Sequence, residues 1–334
     1  MKFLIIRFSS IGDIVLTTPV VRCLKKQVLT AEVHYLTKPG FRTILGSNPY
    51  VDKIHYLQDD FDSMIATLKE EDFDYVIDLH HNLRTLKVKK ALGKKSFSFN
   101  KLNVEKWLLT NFKVNKLPDV HIVDRYLDTL QSFGVHNDGA GLDYFIPEAD
   151  QIKENDIPAA HHAGYIGVVI GAALNTKKYP LEKLKALCAS INHPIILLGG
   201  KEDAANGDSI AQTDPVKIYN ACGKFNLNES ADLVRRARLI ISNDTGLMHI
   251  ASAFNKPIIS LWGNTVPEFG MYPYMPGRQS LYDIVEVKGL SCRPCSKIGY
   301  DKCPKKHFKC MEQIQPESVL EKVNARLGRQ TAKG

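Results

Sequence analysis

The sequence lacks several features that would assign it to a common class of protein. Its 334 residues contain no apolar run approaching the about 18 residues that a membrane-spanning helix requires. The first residues are too soon interrupted by charge to form a signal peptide, so we expect a cytoplasmic protein. The chain has no internal repeat, no low-complexity stretch and no GxGxxG motif, which leaves a nicotinamide-dependent enzyme without support.

The composition and pattern are those of an α/β protein with two domains. Hydrophobic residues make up 44% of the chain and charged residues 24%, which argues against disorder. Short apolar runs alternate with helical patterns in two series. The first series predicts strands at 3–7, 32–36, 53–57 and 75–79, and helices at 13–26, 42–46, 61–70 and 120–133. The second predicts strands at 165–170, 194–198, 217–219, 239–242 and 257–261, and helices at 181–190, 203–212, 228–236 and 246–254.

A polar connection near residue 150 separates the two series. This break favours two Rossmann-like domains, at residues 1–155 and 156–334, over a single large doubly wound sheet.

Acidic residues are scarcer than basic ones, and the excess is concentrated in one region. The chain has 36 Asp and Glu against 44 Lys and Arg, a net charge of +8. Between Arg84 and Lys106 there are eight basic residues and one acid, Glu105. This region is either a solvated helix face with its loop or a patch that meets phosphates at a membrane surface. No nucleic-acid-binding module accompanies it, so we do not expect nucleic acid as a partner.

The loop after the first predicted strand carries a candidate carboxylate. It contains Ser9, Ser10, Gly12 and Asp13, and the carboxyl ends of strands are where open α/β sheets bind ligands. Asp13 has two interpretations. It is an ordinary helix N-cap, or it is the general base that takes the proton of an attacking hydroxyl in an inverting sugar transfer.

Three further strand exits in the second series have the composition of a phosphate site. The segment 171–180 offers small residues and Lys177, and Asn243-Asp244-Thr245-Gly246 leads into a helix whose free N–H groups suit an anion. Trp262-Gly263-Asn264-Thr265 adds a glycine turn beside it. Each has a simpler interpretation as a surface lysine pair or a capping turn, and their combination favours a phosphate cradle.

Together these motifs resemble a known family. Ser-Ser-x-Gly-Asp at 9–13, Lys-x-Tyr-Pro at 177–180, Asn-Asp-Thr-Gly-Leu-Met-His at 243–249 and Trp-Gly-Asn-Thr-x-Pro at 262–267 are similar to motifs of the ADP-heptose:lipopolysaccharide heptosyltransferases, glycosyltransferase family nine, and within it to the second-heptosyltransferase branch. The resemblance extends over about residues 1–325. It implies a GT-B fold, in which two Rossmann-like domains face each other across a cleft.

The resemblance also implies roles for single residues. Asp13 corresponds to the catalytic base, and Lys177 acts in catalysis through the donor phosphate. The implied donor-binding residues, in the C-terminal domain, are Thr176, Lys177, Glu202, Asp244, Thr245, Gly246, His249 and Gly263. The implied acceptor-binding residues, in the N-terminal domain, are Ser10, Gly12, His81 and Arg84.

The function that the resemblance implies is an inverting, metal-independent transfer of heptose or a related sugar from ADP-heptose to the lipopolysaccharide inner core. The acceptor would be a core oligosaccharide linked to lipid A, reached by peripheral contact with the inner face of the inner membrane. Two alternatives remain open. The protein is a sugar-nucleotide enzyme such as an epimerase, or a transferase that uses another nucleotide-sugar.

Cysteine is sparse except near the C-terminus. Cys23, Cys188 and Cys222 stand alone in apolar surroundings and are expected to be buried. The loop 292–310 holds the other four, Cys292, Cys295, Cys303 and Cys310, among basic residues expected to favour thiolates. This spacing fits a structural Zn or Fe, with His307 as a substitute ligand, better than disulfides, and free or redox-active thiols are the other alternative. No cofactor is expected for catalysis.

Overall fold

The computed structural model describes residues 1–331, which form two α/β units. The N-terminal unit comprises Met1–Leu102 and Val120–Phe145. The C-terminal unit comprises Asn103–Asp119 and the chain from Ile146 onward. Each unit has its own parallel sheet, so the prediction of two Rossmann-like domains is confirmed and the alternative of one large sheet is wrong.

The N-terminal unit is built on five parallel strands, β1 (Lys2–Ile6), β2 (Glu32–Thr37), β3 (Lys53–Tyr56), β4 (Tyr75–Asp78) and β5 (Lys95–Ser98). Their order in the sheet is β3-β2-β1-β4-β5. The central strand β1 is buried from Phe3 to Ile6, which explains why its sequence is a continuous apolar run rather than an alternating one. Its helices are α1 (Ile11–Val15), α2 (Thr18–Gln27), α3 (Arg42–Leu45), α4 (Phe61–Glu70), α5 (Leu83–Leu92) and, after residue 120, α7 (Ile122–Leu127).

The C-terminal unit has six parallel strands, β6 (Ile166–Val169), β7 (Ile195–Leu198), β8 (Ile218–Asn220), β9 (Leu239–Asn243), β10 (Ile258–Trp262) and β11 (Tyr282–Glu286). Their order is β11-β10-β9-β6-β7-β8. Its helices are α6 (Asn103–Phe112), α8 (Leu181–Ser190), α9 (Ala204–Ala211), α10 (Leu227–Arg236), α11 (Gly246–Ala253), α12 (Lys309–Glu312) and α13 (Pro316–Thr331).

The helix predicted at 13–26 is two helices, α1 and α2. Pro19 has no N–H to donate and suits only a first turn, and it lies at the start of α2. The hydroxyl of Thr17 donates to the carbonyl of Ile14 at 2.7 Å, which closes the break between the two helices. The consequence is that Asp13 lies in a helix of a single turn directly after β1.

Every strand predicted from the sequence is confirmed, and the two strands missed are both at sheet edges. β5 is mostly exposed and β11 only half-buried, so neither has the apolar run that marks the central strands. β11 matters for the site because it ends at Glu286, beside the loop that follows β10.

The segment Asn103–Asp119 belongs to the C-terminal unit although it lies within the first half of the chain. Its helix α6 buries Leu109 against Val266 and Phe269. The sequence prediction placed residues 1–155 in an acceptor domain and 156–334 in a donor domain, and so included Asn103–Asp119 in the first. The acceptor and donor roles given to the two domains stay a prediction.

Both sheets have a point at which the chain reverses its direction of winding. In the N-terminal unit the point lies between β1 and β4, and in the C-terminal unit between β6 and β9. Open α/β sheets bind ligands at the carboxyl ends of the strands that flank such a point. The loops after these four strands are therefore where a site is expected. In residues 1–331, none of the helices has the length and apolar character that crossing a bilayer would take.

Candidate functional site

Asp13 lies at the switch point of the N-terminal unit, in the first turn of α1. Its Oδ2 accepts hydrogen bonds from the backbone N–H of Ser10 at 3.2 Å and from the Ser10 hydroxyl at 2.8 Å. Gly12 is buried in the same turn. The structure thus brings Ser10, Gly12 and Asp13 together. Ser10, and not Asp13, is the N-cap of α1, so the interpretation of Asp13 as the N-cap is wrong, and its carboxylate instead completes a capping box from the third helical position.

Arg7 holds the other oxygen of Asp13. Its Nη2 lies 2.7 Å from Asp13 Oδ1. The guanidinium is itself held in place, because Nη1 donates to the carbonyl of Leu79 at 2.7 Å and Nε to that of Ser9 at 2.7 Å. Burial alone would raise the pKa of Asp13, but the charge of Arg7 and the hydrogen bonds from Ser10 hold this pKa below its usual value. Asp13 is therefore an ionised carboxylate with lone pairs left to accept a proton.

The loop after β4 forms the other side of this switch point, and Asp78 organises it. The carboxylate of Asp78 is fully buried and accepts from the backbone N–H of His81 at 2.7 Å and from the Thr85 hydroxyl at 2.8 Å. Lys89 pairs with it at 2.9 Å. The predicted acceptor residues His81 and Arg84 are exposed on this loop and the start of α5. Asp78 thus fixes the backbone from which they project.

His80 connects the two loops of the N-terminal switch point. Its ring packs on Phe8 with the centroids 5.0 Å apart. Burial, followed by the positive charge of Arg7, lowers the pKa of His80 to about 4, so the ring is neutral at neutral pH. Its buried Nδ1 has no hydrogen-bond partner among the described residues. The sequence prediction placed both histidines in the acceptor-side loop and chose His81, not His80, as an acceptor-binding residue.

In the C-terminal unit, Lys177 and Asp244 meet at the switch point between β6 and β9. Lys177 Nζ lies 2.6 Å from Asp244 Oδ2, and the two side chains are 19% and 10% exposed. The hydroxyl of Thr265 donates to the same carboxylate oxygen at 3.0 Å. Three strand exits that the sequence suggested separately therefore converge on one carboxylate.

The first turn of α11 begins directly after Asp244. Thr245 is its N-cap, with its hydroxyl 3.2 Å from that of Ser242, and Gly246 is the first helical residue. Backbone N–H groups at a helix start lack partners within the helix and favour an anion. A lysine, a hydroxyl and a helix N-terminus lie beside one another here, and this combination of groups is typical of phosphate-binding sites.

The remaining predicted donor residues have other surroundings. Thr176 is buried, and its hydroxyl contacts the backbone of Tyr300 rather than Asp244. Glu202 is exposed in the turn after β7. His249 is buried within α11. Gly263 follows β10, where a Cβ would lie 2.7 Å from the carbonyl oxygen of Thr176, so close packing requires the glycine.

Three charged side chains that support these sites were not among the predicted residues: Arg7, Asp78 and Arg293. Arg7 and Asp78 each lie at the carboxyl end of a central strand of the switch point. A charged residue in that position, after a buried apolar run, is a signal that could have identified both. The partners of Arg293 lie in other segments of the chain, so its role has no such signal.

The cysteine loop 292–310 contains four free thiols, of which Cys310 is buried. Cys292 Sγ lies 3.9 Å from His307 Nε2. Burial raises the pKa of Cys295, and raises that of Cys310 to about 11, which favours the thiol form of these two side chains. Within residues 1–331, three side-chain atoms of types that can bind a metal lie close together at His34, His55 and Glu71, and no such group is found at the cysteines. As placed, the thiols do not fit one tetrahedral ion.

The fold and the two switch-point sites define the class of the protein. The chain superposes on the solved Escherichia coli ADP-heptose lipopolysaccharide heptosyltransferase II with a TM-score of 0.74, covering 99% of this chain and 100% of that one at 19% identity. At this identity the likeness shows the fold, which is the GT-B type of glycosyltransferase.

The sequence profile of glycosyltransferase family 9 (heptosyltransferase) matches residues 62–300, and the chain belongs to this family. It is 26% identical to lipopolysaccharide heptosyltransferase 1 of Campylobacter coli over 296 residues, which are 79% of this chain and 84% of that protein. It is 30% identical to lipooligosaccharide heptosyltransferase 2 of Haemophilus influenzae over 167 residues, 49% of this chain and 46% of that protein. The latter match thus spans about half of the relative. The chain is a glycosyltransferase.

Proposed function

We propose that this glycosyltransferase moves a heptose from ADP-heptose to the inner core of lipopolysaccharide, with inversion at the anomeric carbon. The observation that carries the proposal is the convergence of Lys177 and Thr265 on Asp244, at the N-terminus of α11. Family membership and the names of the relatives, which are lipopolysaccharide heptosyltransferases, support heptose as the sugar and lipopolysaccharide as the acceptor.

On the donor side, Lys177 and α11 serve the pyrophosphate. A lysine ammonium has three donors, so Lys177 can keep its bond to Asp244 and also bond a phosphate oxygen. The first-turn N–H groups of α11, with Thr245, supply further donors to the same anion. This positive field stabilises the charge that develops on ADP as it leaves. We assign to Asp244, whose carboxylate lies beside the lysine, the role of accepting hydrogen bonds from the hydroxyls of the heptose.

On the acceptor side, Asp13 serves as the general base. The acceptor oxygen attacks the anomeric carbon, the bond from that carbon to the phosphate oxygen breaks, and ADP leaves with the electron pair. The proton of the acceptor hydroxyl passes to Asp13, which is ionised and held in position by Arg7 and Ser10. His81 and Arg84, exposed on the loop that Asp78 holds, are assigned to the acceptor.

The first experiment measures ADP binding by calorimetry and heptose transfer onto a truncated lipopolysaccharide core. We expect Asp13→Asn to lower the transfer rate by about 100-fold or more, because the base is lost, and to leave the Kd for ADP nearly unchanged. Lys177→Met should raise the Kd for ADP by about tenfold, because a phosphate contact is lost.

Two controls belong to this experiment. Lys178 is the neighbour of Lys177 but pairs with Asp203 at 2.8 Å, so Lys178→Met should leave the Kd for ADP within about threefold of the wild-type value. Asp52 pairs with Lys25 in the N-terminal unit, and Asp52→Asn is the control for Asp13→Asn. Conversion of free nucleotide-sugar without an acceptor would instead establish an epimerase, and binding of a different nucleotide-sugar would replace ADP-heptose as the donor.

A peripheral contact with the cytoplasmic face of the inner membrane is the finer part of this proposal. In the N-terminal unit, α5 exposes Leu83 and Leu86 beside Arg84 and Lys87. In the C-terminal unit, α6 exposes the apolar side chains of Val104, Trp107 and Phe112. Apolar side chains next to basic ones are the composition of a surface that binds anionic lipid.

A structural metal at the cysteine loop stays a prediction. The spacing of the four cysteines supports it, and their placement as free thiols without convergence does not. Elemental analysis of the purified protein decides it, since less than about a tenth of an equivalent of Zn or Fe would overturn the prediction.

A further inference from the structure

The guanidinium of Arg293 joins the cysteine loop to the donor-side loops of the C-terminal unit. We infer that Arg293 is a positioning residue that holds the backbone 263–265 so that Thr265 and Lys177 meet on Asp244. The inference rests on the donor site proposed above and extends it to a segment outside the motifs of that site.

The side chain of Arg293 is almost fully buried, and each of its three guanidinium nitrogens has a partner. Its side chain is 6% exposed, and Nη1 lies 2.7 Å from the carboxylate of Glu286 at the end of β11. Nε donates to the carbonyl of Gly263 at 2.6 Å, and Nη2 donates to that of Thr265 at 2.9 Å. One planar cation thus fixes two carbonyls of a single loop, an arrangement that a lysine cannot reproduce.

The fixed loop carries a side chain of the site. Thr265, whose carbonyl bonds to Arg293, donates its hydroxyl to Asp244 at 3.0 Å. The same carboxylate oxygen accepts from Lys177 at 2.6 Å. Loss of Arg293 would free the backbone of Thr265 and leave Glu286 as a half-buried, unpaired carboxylate. Of the two side chains that bond to Asp244, Thr265 would then no longer be held in place.

The same segment holds the other donor-side loop at a second point. The backbone N–H of Tyr300 donates to the hydroxyl of Thr176 at 2.8 Å, and the N–H of Thr176 donates to the carbonyl of Tyr300 at 3.0 Å. Thr176 is the residue before Lys177. Residues 293–300 therefore contact both loops whose side chains meet at Asp244.

A second buried arginine provides a matched control. Arg326 on α13 pairs with Asp283, also on β11, at 2.6 Å, and bonds to the carbonyl of Ser280. It is also an arginine that pairs with a carboxylate on β11, but among the described residues it contacts Asp283 and Ser280 and not the loops after β6, β9 or β10. Loss of Arg326 should lower stability without changing the donor site.

The experiment compares Arg293→Met, Arg293→Lys and Arg326→Met. We expect Arg293→Met to raise the Kd for ADP and the KM for ADP-heptose by about tenfold, because the site loses its preorganisation. Arg293→Lys keeps the charge and one carbonyl contact and should recover part of that loss. Arg326→Met should lower the unfolding midpoint and keep the Kd for ADP within about twofold.

Each outcome has a distinct meaning. Wild-type protein that binds neither ADP nor ADP-heptose overturns the proposed function and the inference with it. Wild-type binding together with an unchanged Kd in folded Arg293→Met overturns the inference alone. If Arg293→Met does not fold, Arg293→Lys decides, and a wild-type Kd for ADP in that variant overturns the inference. If Arg326→Met weakens ADP binding as much as Arg293→Met does, the loss of binding follows from lower stability alone, which also overturns the inference.

Discussion

At the scale of single residues, Asp13 and Asp244 are both paired carboxylates, but their cations differ. Arg7 is anchored to the carbonyls of Leu79 and Ser9, and a guanidinium stays charged at all pH values of interest. It therefore fixes both the position and the ionisation of Asp13. Lys177 is a point charge on a flexible stem, so it can move towards a phosphate without leaving Asp244.

Replacement of Arg7 tests how the base is tuned. In Arg7→Met, burial acts on Asp13 without the opposing charge, so the pKa of Asp13 should rise. We expect the acidic limb of the pH profile of kcat/KM to move up by about one unit or more, because a neighbouring opposite charge is worth that much. Activity then falls at a higher pH than in the wild type. An acidic limb that stays in place would contradict either the base assignment or the role of Arg7.

Gly263 tests the packing of the donor loop. A Cβ at this position would lie 2.7 Å from the carbonyl oxygen of Thr176 and 2.9 Å from Met311 Cε. Gly263→Ala should lower the free energy of unfolding by about 1–3 kcal/mol, measured by urea denaturation, and weaken ADP binding. Gly328→Ala is the control, because a Cβ there meets no atom within 4 Å among the described residues beyond its own turn of α13, and alanine favours a helix. Equal stability of the two variants would refute the packing argument.

At the scale of elements, the carboxyl ends of central strands carry the site. Arg7 follows β1, Asp78 ends β4 and Asp244 follows β9, and each strand flanks a switch point. Apolar runs predicted these strands because both of their faces are buried. The edge strands β5 and β11 were missed because half-exposed strands have no such run. Propensity also missed the break between α1 and α2, where Pro19 starts a new helix.

The pairing of β2 with β3 creates an acid-sensitive contact away from the site. His34 Nδ1 and His55 Nε2 are 2.9 Å apart, and Glu71, itself paired with Lys2 and Lys53, lies close to both rings. Burial, followed by the charge of His34, lowers the pKa of His55 from 6.5 to about 4. Between these values the unfolded chain binds the proton more tightly, so stability is lost as pH falls.

We expect the free energy of unfolding of the wild type to fall by on the order of 2 kcal/mol through this group between pH 7 and 4. His55→Gln should flatten this part of the dependence, measured by urea denaturation across the pH range. His80, whose pKa is also lowered to about 4, contributes to the residual slope. An unchanged slope in His55→Gln would show that the ring does not titrate differently on unfolding.

At the scale of the whole molecule, the charge is distributed over both units. The net charge is +8, and basic residues cluster between Arg84 and Lys106. The structure divides this patch, because α5 belongs to the N-terminal unit and α6 to the C-terminal unit. The patch therefore belongs to two bodies, and each contributes its own exposed apolar side chains.

Binding to lipid vesicles tests the membrane proposal. We expect sedimentation with vesicles that contain anionic phosphatidylglycerol, and loss of binding when the salt is raised from about 0.1 M to 0.5 M, because exposed charges are then screened. Trp107→Ser, which removes an exposed apolar ring from α6, should weaken the binding. Trp262→Ser is unsuitable as a control because that ring is buried. Vesicle binding that is absent at low salt would contradict the proposal.

The sequence by itself determined the α/β class and the central strands, and it indicated the segments in which a site is expected, while its motifs gave the resemblance to the family. It could do so because buried parallel strands and strand-exit turns each require a local composition that the chain shows residue by residue. Asp13, Lys177 and Asp244 were all found in this way, although their roles remain proposals.

Only the tertiary structure decided which side chains meet. The convergence of Lys177 and Thr265 on Asp244, the pairing of Arg7 with Asp13 and the contacts of Arg293 join residues of different segments. It also assigned α6 to the C-terminal unit and, within the described residues, brought no three of the four thiols close enough to bind one ion. The physical reason is that hydrogen bonds and ion pairs depend on distances across the fold, which no local pattern of residues records.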